Sequence, residues 1–507
     1  MTAASMDLDQ ELMKAEVESV SSDNTVTSGT NGNVQVVVRV RPPSNREKDQ
    51  GYIKCVGVDS VSHSVTLNYR PQPRTFTFDY VADEVVSQEE IFAAVGKPIT
   101  DACLQGYHCC LIAYGQTGAG KTFTMEGPDP ESNSGNSPGF AAQSKANAKR
   151  HEKRGLIPRI LEYIFQKMSS EKSQSFKDVE FVVKCSYLQI YNEQVSDLLD
   201  PASLNLTIHE DAKSGMYVEG LQEVVVSTAE ATYGVFRRGS ENRHVGMTAM
   251  NMESSRSHSV FTVVVESQRR NEGGVMNRRT SRFYLVDLAG SERQKHSESA
   301  GIRLKEAGSI NKSLSALGNV IKALVDISEG KIRHVPYRDS KLTFLLKDAL
   351  GGNSKCTLIA NVSPAEKNID ETLSTLKFAQ RAKLIHNTAV VNEDMFGNPA
   401  VMGEEIRRLR LALAALRANM GSGSVSEQNF TPMNQENQSE TSRISRLEHI
   451  ISQSTKRSLE AEQKLQRKIN ELEGTVKDYQ EYIHRLERTL QYSDYQRADG
   501  SDSEDDH

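Results

Sequence analysis

Short hydrophobic runs rich in β-branched residues alternate with longer helical patterns between about residues 34 and 388. The first run, VQVVVRV, begins at Val34 and is stopped by two prolines, as expected of a strand. Five later runs have the same character: GYHCCLIAYG, FVVKCSYLQIY, SVFTVVVES, RFYLVDLAG and TLIANVSP. Strands that alternate with helices predict an α/β fold in which a central mixed sheet lies between helices.

The hydrophobic period changes after about residue 400. Apolar residues then recur in steps of four and three, first at Met402, Ile406, Leu409, Leu413, Leu416 and Met420, and again at Leu465, Ile469, Leu472, Val476, Tyr479, Ile483, Leu486 and Leu490. This heptad spacing predicts two short coiled coils, at 401–420 and 441–492, joined by a flexible Gly/Ser/Asn/Gln-rich linker at 421–440. An amphipathic helix lying on the globular domain is the alternative for each.

Three polar stretches lie outside this pattern. Residues 1–33 and 493–507 are predicted to be a disordered acidic leader and a disordered acidic tail, and residues 128–154 a surface loop. Because the whole chain has a net charge of −6 and each acidic end contributes −5, the middle, 34–492, carries +4. A basic middle favours an acidic partner, although charge alone does not separate a protein partner from nucleic acid.

Composition narrows the class of protein. The 507 residues permit roughly three average domains and a core that needs no metal or disulfide. None of the six cysteines has CxxC spacing, so reduced, buried thiols of a cytosolic protein are expected. No signal peptide and no membrane span are predicted, because no window approaches the roughly 18 apolar residues that a span needs.

Residues 115–122, GQTGAGKT, fit the phosphate-binding pattern GxxxxGK[ST]. Glycines let successive backbone N–H groups face phosphate oxygens, Lys121 can reach the β- and γ-phosphates, and the Thr122 hydroxyl can bind Mg²⁺. A glycine turn without a ligand is the alternative. The strand before the loop and the helical segment after it favour the phosphate loop.

Two further polar segments supply what a γ-phosphate sensor needs. In LVDLAGSE, Asp287 ends an apolar strand and can hold Mg²⁺ through water, and Gly290 can offer its N–H to the γ-phosphate. In NMESSRSH, hydroxyl groups can bind metal and phosphate, and Arg256 can pair with Glu292. Either segment alone is an ordinary polar turn, and the combination with a phosphate loop predicts a nucleotide site.

The motifs GQTGAGKT, NMESSRSH, LVDLAGSE and HVPYRDSKLT, in this order, resemble those of the kinesin motor domain over about residues 34–392. The resemblance implies a P-loop NTPase motor domain, followed by a neck linker and short coiled coils. It implies hydrolysis of ATP with Mg²⁺ by in-line attack of water on the γ-phosphate. A microtubule is then the expected acidic partner, and nucleic acid is not.

The resemblance assigns roles residue by residue. Glu292, Arg256, Ser255 and Gly290 are expected to be catalytic, with Arg256 and Glu292 orienting the water, and Thr122, Ser255 and Asp287 to hold the metal. Nucleotide contacts are expected from Arg39, Arg41, Pro42, Tyr114, Gly115, Gln116, Thr117, Gly118, Ala119, Gly120, Lys121, Thr122, Phe123, Asn251 and Ser254, with Arg243 nearby. Phe123 stands where many kinesins have an adenine-stacking histidine. Microtubule contacts are expected from Arg293, Lys312, His334, Arg338 and Lys341, with Lys331 and Arg333 adding charge.

The layout implied is a motor domain at 34–386 and a neck linker and connector at 387–400, in which Asn392 holds the docked linker. An N-terminal motor with a C-terminal linker resembles the plus-end-directed kinesins, and NTAVVNED resembles the mitotic class-twelve kinesins. We expect a microtubule-stimulated ATPase in the cytoplasm and on the microtubule cytoskeleton, with a role in the spindle or in cell division. A microtubule-binding protein with a slow ATPase and a nucleotide switch without a track are the alternatives.

The second heptad region is expected to form a parallel homodimer that brings two motor domains together. Replacing Leu472 and Leu486 by Lys places charges in the apolar seam, so the variant should be monomeric while still hydrolysing ATP on microtubules. Light scattering at micromolar concentration checks the mass, and a monomeric parent chain would contradict the dimer.

Overall fold

The computed structural model describes residues 32–128, 152–174, 179–211, 215–249, 254–270, 276–292 and 302–396, together with isolated helical positions between 407 and 477. The predicted leader and tail, most of the loop at 128–154 and most of both predicted coiled coils lie outside these residues. Their predicted structures therefore stay predictions.

All six strands predicted above are present, at the bounds β1 (Gln35–Val40), β6 (Cys109–Tyr114), β7 (Val179–Tyr191), β12 (His258–Arg270), β13 (Met276–Asp287) and β14 (Lys355–Val362). The other described strands are β2 (Val56–Asp59), β3 (Ser64–Leu67), β4 (Arg74–Thr77), β5 (Tyr80–Ala82), β8 (Gln194–Asp197), β9 (Ile208–Asp211), β10 (Gly215–Val218), β11 (Val224–Val226) and β15 (Glu393–Phe396). These strands confirm the expected α/β architecture.

The central sheet has the order β11-β7-β12-β13-β6-β14-β1-β5, with β8 added beside β7. Its middle is parallel, because β6 pairs in parallel with both β13 and β14, and β1 pairs in parallel with β14 and β5. At one edge β7 pairs antiparallel with β11 and β8. The sheet is therefore mixed, as the sequence predicts. Two small sheets, β2-β3-β4 and β9-β10, stand apart from it.

The described helices have these bounds: α1 (Asn45–Asp49), α2 (Gln88–Ile91), α3 (Lys97–Leu104), α4 (Lys121–Met125), α5 (Leu156–Gln174), α6 (Ala229–Ala249), α7 (Ile302–Ser328), α8 (Lys341–Leu345) and α9 (Ile369–Ala382). A π-helical turn, Phe92–Gly96, joins α2 to α3, and a 3-10 turn, Ser254–Arg256, precedes β12. Ser44 caps α1 and Ser87 caps α2, each through a capping box with the glutamate three residues later.

The strand β6 explains why the core has two layers. All six of its side chains are buried. Because successive side chains of a strand point to opposite faces, Cys110, Ile112 and Tyr114 join one hydrophobic cluster and Cys109, Leu111 and Ala113 join the other. The first cluster also contains side chains of α7, α8 and α9, and the second those of α3, α5 and α6. Helices therefore cover both faces of the sheet, as its fully apolar central strands require.

The chain divides into two units. The first contains Met1–Phe176, Glu180–Ser267 and Arg279–Asn392. The second contains Lys177–Val179, Gln268–Arg278 and Glu393–His507, and its described part includes β15. Among the described residues, no helix is both long enough and apolar enough to cross a membrane.

The central position of β6 predicts a large stability loss when its packing is removed. Ile112 is 1% exposed, so Ile112→Ala leaves a cavity in the first cluster and should lower the free energy of unfolding by about 2–5 kcal/mol. Ile332→Ala is the matched control, because Ile332 is fully exposed and its truncation should cost less than about 0.5 kcal/mol. Urea denaturation of both variants measures the difference, and equal losses would contradict the assignment of β6 to the centre of the core.

Candidate nucleotide site

The loop from Gly115 to Gly120 connects the end of β6 to the start of α4, where the sequence predicts a phosphate loop. Its backbone takes a path that side chains rarely allow, since φ is +147° at Gly115 and +98° at Gly120. A Cβ atom on Gly115 would also collide with the carbonyl oxygen of Asn361. Glycine is therefore required at this position for the loop to pass close to the neighbouring strand.

The Lys121 ammonium lies under this loop. Its Nζ donates hydrogen bonds to the carbonyl oxygens of Gly115, at 2.9 Å, and Gln116, at 3.0 Å. Burial lowers the pKa of Lys121, while the carboxylates of Asp287 and Glu292 oppose that effect. The loop backbone thus holds a cation inside the curve in which the sequence predicts the phosphates to lie.

Thr122 and Asp287 form the part of the site that the sequence assigns to a metal. Thr122 Oγ1 donates to Asp287 Oδ2 at 2.7 Å. The second oxygen, Asp287 Oδ1, is buried and has no hydrogen-bond partner among the described residues. A hydroxyl beside an unsaturated carboxylate oxygen is the hard-oxygen donor set that Mg²⁺ prefers, so the residues present fit this ion.

Arg243 is a buried cation next to this carboxylate. Its Nη1 lies 3.5 Å from Asp287 Oδ2 and 3.7 Å from Glu126 Oε1, and it donates to Ser259 Oγ at 2.9 Å. Burial alone would lower the pKa of Arg243, but Asp287, Tyr187 and Glu126 outweigh it, so the pKa is raised. Arg243 therefore stays charged and holds Asp287 in place.

The segment after Asp287 is bonded to both neighbouring motifs. Gly290 N donates to the carbonyl oxygen of Ser255 at 2.7 Å, and Ser291 N donates to the carbonyl oxygen of Gly115 at 3.1 Å. The first bond joins the segment to the 3-10 turn before β12, and the second joins it to the phosphate loop. In this arrangement the Gly290 N–H, which the sequence assigns to the γ-phosphate, donates its hydrogen bond to the Ser255 carbonyl oxygen.

Glu292 reaches back onto the phosphate loop. Its carboxylate accepts a hydrogen bond from Thr117 N, at 2.8 Å, and another from Thr117 Oγ1. A Cβ atom on Gly290 would collide with both Thr117 Oγ1 and this carboxylate, so the contact needs glycine there. The expected pairing of Glu292 with Arg256 stays a prediction.

Arg41 supports the phosphate loop from the outside. Its Nε donates to the carbonyl oxygen of Gly118 at 2.7 Å, and its two terminal nitrogens donate to the Glu47 carboxylate at 2.7 Å each. The hydrogen bonds from Arg41, with those from Ser44, hold the pKa of Glu47 at about 2. Glu47 is not among the residues predicted for the site, although the S-x-x-E pattern from Ser44 signals its capping role.

Two residues predicted to lie at the base, Arg39 and Tyr114, have side chains buried among other protein groups, and their contact with the base stays a prediction. Arg39 is 7% exposed and donates to Gln88 Oε1 at 2.8 Å and Thr124 Oγ1 at 3.0 Å. Tyr114 is also 7% exposed and stacks on Phe378, with ring centroids 3.9 Å apart. Both positions fold into the protein because they belong to the central strands β1 and β6.

Two other predicted base contacts have accessible side chains. Pro42 is exposed, and Phe123 is 40% exposed. The Arg39 guanidinium lies 5.7 Å from the centroid of the Phe123 ring, so the two predicted base-side residues are neighbours. Gln116 is half-buried, as are Thr117 and Ser255, and Ala119 is buried. Asn251, Arg293 and the Ser254 side chain lie outside the described residues.

The candidate track contacts differ in exposure. Lys312, His334 and Arg338 are exposed, and Lys341 is half-buried. The Arg338 side chain is 81% exposed, and its Nη2 lies 4.0 Å from Glu210 Oε2. Lys331 and Arg333 both pair with Asp326, so part of their charge is balanced within the protein.

The predicted linker lies along the first unit up to Asn392. Asn392 N and Nδ2 both donate to the carbonyl oxygen of Gly106, at 2.9 and 3.0 Å, and Asn392 Oδ1 accepts from Asn353 Nδ2 at 2.9 Å. Asn387 Nδ2 donates to the carbonyl oxygens of Ala349 and Ser354. These amide side chains hold the segment by hydrogen bonds, and its assignment as a docked neck linker stays a prediction.

Known proteins resemble this chain over the same region. A family model for the kinesin motor domain matches residues 39–385. The kinesin-like protein KIF15 of Strongylocentrotus purpuratus is 52% identical over 380 residues, which are 75% of this chain and 25% of that protein. KIF15 of Homo sapiens is 50% identical over 406 residues, 80% of this chain and 28% of that protein. KIN-12F of Oryza sativa subsp. japonica is 50% identical over 387 residues, 76% of this chain and 13% of that protein.

Solved structures agree with these relatives. The structure of a fast kinesin has a TM-score of 0.63 and 42% identity, and the match covers 72% of this chain and 96% of that one. The KIF14 dimer in complex with a microtubule has a TM-score of 0.61 and 40% identity, with 72% and 97% covered. The chain spans 13% to 28% of the length of the three curated relatives described above. The resemblance to class-twelve kinesins is confirmed, and because the family model matches more than half of the sequence, the chain belongs to the kinesin motor domain family.

Proposed function

We propose that this chain is a microtubule-stimulated ATPase that moves toward the plus end of the microtubule. The observation that carries the proposal is the pair of contacts between the segment after Asp287 and the phosphate loop, from Ser291 N to the Gly115 carbonyl and from Thr117 to Glu292. The same segment leads toward α7, on which Lys312 is exposed. A change at the phosphates can therefore reach α7 through hydrogen bonds to the segment after Asp287 and through the chain that joins this segment to the helix.

The reaction proposed is in-line attack of water on the γ-phosphate, which breaks the bond to the β-phosphate oxygen and yields ADP and phosphate. The Lys121 ammonium neutralises charge on the β- and γ-phosphates. Glu292 and Arg256 orient the attacking water when they pair. Since the protein forms no covalent bond to phosphorus, its contribution is positioning and charge stabilisation.

Mg²⁺ would be held by Thr122 and Ser255 directly and by Asp287 through water. When bound, this ion neutralises charge on the phosphate oxygens and fixes their geometry. Asp287 is supported in this role by Arg243, which keeps the carboxylate oriented. The unpartnered Oδ1 of Asp287 supports the assignment, since a buried carboxylate oxygen normally accepts a hydrogen bond.

Two exchanges of hydrogen-bond partners would bring the site into its catalytic arrangement. The Gly290 N–H would leave the Ser255 carbonyl for the γ-phosphate, and Glu292 would leave Thr117 for Arg256. Both are exchanges of one hydrogen bond for another, so each costs little net free energy and is decided by the phosphate that is present. On the base side, Arg39, Arg41, Pro42, Tyr114 and Phe123 are proposed to line the adenine.

The microtubule is proposed as the track because KIF14, a structural neighbour, is seen in complex with one. Lys312, His334, Arg338 and Lys341, with Arg293, are proposed to contact its acidic surface. Exposed ion pairs of this kind are screened, so binding should weaken as salt rises. The docked segment up to Asn392 supports the neck-linker assignment and a plus-end direction.

A homodimer through the heptad region, a cytoplasmic and microtubule location and a role in the spindle complete the proposal. The second candidate is a microtubule-binding protein whose slow ATPase serves attachment. Turnover measured with and without microtubules tests the ATPase, and microtubule gliding over surface-bound protein tests movement. Stimulated turnover with gliding is expected. Static tethering would favour the second candidate. Turnover that does not rise when microtubules are added would contradict the stimulated ATPase and favour a nucleotide switch without a track.

Removal of the phosphate-loop ammonium should abolish turnover. Lys121→Ala loses the charge that stabilises the transferring phosphate, and it loses two hydrogen bonds to loop carbonyls, at a cost of about 1 kcal/mol each in stability. Phosphate release and urea denaturation measure the two effects, with exposed Lys172→Ala as the control. Turnover near the parent rate in a folded Lys121→Ala variant would exclude the phosphate-loop assignment.

Glu292→Ala should leave ATP binding nearly normal and slow hydrolysis by at least ~100-fold, the typical loss of a group that acts in the transition state. In the structure Glu292 contacts Thr117. Its proposed catalytic role requires a later pairing with Arg256, so its loss is expected to slow hydrolysis more than it affects binding. Single-turnover hydrolysis and nucleotide affinity are measured separately, with exposed Glu89→Ala as the control. An unchanged single-turnover rate would mean that Glu292 does not orient the water.

A further inference from the structure

His258 is the first residue of β12 and lies two residues after Arg256, the last residue of the 3-10 turn that contains Ser255. Its side chain is 2% exposed, and it lies between two other elements. Nδ1 is 3.0 Å from Ala289 N, and Nε2 is 2.7 Å from Ser313 Oγ. One imidazole ring therefore joins three places: the start of β12, the segment after Asp287, and helix α7.

The partners fix the protonation state of this ring. Ala289 N–H is a donor, so Nδ1 must be an unprotonated acceptor. The ring proton is then on Nε2, and Nε2–H donates to Ser313 Oγ. Burial, with the positive charges of Arg243 and Lys121, lowers the pKa of His258 to about 3. The ring is thus neutral and holds one tautomer at ordinary pH.

The two ends of this bridge lie beside groups of different function. Ala289 immediately precedes Gly290, whose N–H is bonded to the Ser255 carbonyl at 2.7 Å. Ser313 immediately follows Lys312, which is exposed on α7. On a helix, neighbouring residues point in different directions, so α7 turns Lys312 outward while Ser313 is buried. A rotation or translation of α7 that follows contact at Lys312 must also move Ser313 Oγ.

We propose that His258 is a positioning residue that transmits track binding from α7 to the nucleotide site through its hydrogen bonds to Ser313 and Ala289. The inference rests on the proposed function. When track binding shifts α7, the hydrogen bond from His258 to Ser313 displaces the imidazole ring. The displaced ring then changes the position of the Ala289 N–H, which donates to it. Because Ala289 and Gly290 are adjacent, the shift alters the balance between the Ser255 carbonyl and the γ-phosphate as acceptors for Gly290.

A purely structural bond in the core makes a different prediction. Its loss would reduce stability and would lower turnover with and without microtubules alike. A coupling bond, by contrast, changes the ratio of the two rates. The stimulation factor, stimulated turnover divided by basal turnover, is therefore the quantity to measure.

The test uses Ser313→Ala in the full chain, with Ser315→Ala as the matched control. Ser315 lies two residues further along α7 and is exposed, so it removes the same hydroxyl from the same helix without touching His258. We expect Ser313→Ala to lower the stimulation factor about tenfold, with basal turnover within about twofold of the parent. Ser315→Ala should behave as the parent.

His258→Asn is the second variant. Asparagine has an acceptor that can replace Nδ1 toward Ala289, but its shorter side chain cannot also reach Ser313. It should therefore lose stimulation to the same extent as Ser313→Ala, and the double variant should lose no more than either single variant. Urea denaturation of each variant establishes that it is folded before the rates are compared.

The outcomes separate the two levels of the account. A parent chain without microtubule stimulation would overturn the proposed function, and this inference with it. A stimulated parent with a normal Ser313→Ala stimulation factor would overturn the inference alone. Equal losses of basal and stimulated turnover, or losses that add in the double variant, would also overturn it, because they indicate a structural bond or two independent effects.

Discussion

The parallel pairing of β6 with β13 and β14 is the constraint on which the site depends. In this register Ala113 lies opposite Asp287, and Tyr114 lies opposite Ala360. The carboxyl ends of parallel strands meet at one edge of a sheet, so the phosphate loop, the metal-type carboxylate and Asn361 must be neighbours. The close passage of Gly115 by the Asn361 carbonyl follows from the same pairing.

A second constraint is the competition between anions at this edge. Thr117 donates hydrogen bonds from its N–H and its hydroxyl to Glu292, although the motif that contains Thr117 is predicted to face phosphate. A carboxylate and a phosphate cannot share these donors without repulsion. Lys121 lies near the carboxylates of both Asp287 and Glu292, and Arg243 lies near those of Asp287 and Glu126. We propose that Glu292 is the acid whose partner changes with the ligand. On this proposal the site responds to phosphate as well as binding it.

Local signals in the sequence predicted the strands, the phosphate loop and the carboxylate at the end of β13, because each depends on neighbours close in the chain. Side-chain burial was harder to predict. Tyr114 turns inward because Phe378, far along the chain, stacks on it, and His258 acquires its role from Ser313 on a distant helix. Such contacts are set by tertiary packing, which leaves no periodic or motif signal. The capping pair Ser44 and Glu47 is the exception, since its spacing could be recognised.

The central claim is that the nucleotide site and the track surface form one thermodynamic unit. The most direct measurement is a pair of affinities: that of ADP with and without microtubules, and that of microtubules with and without ADP. Coupling between two binding sites is reciprocal, so the account predicts that both affinities change by the same factor, about 5–150-fold for typical couplings. A microtubule affinity that does not depend on the bound nucleotide would contradict it.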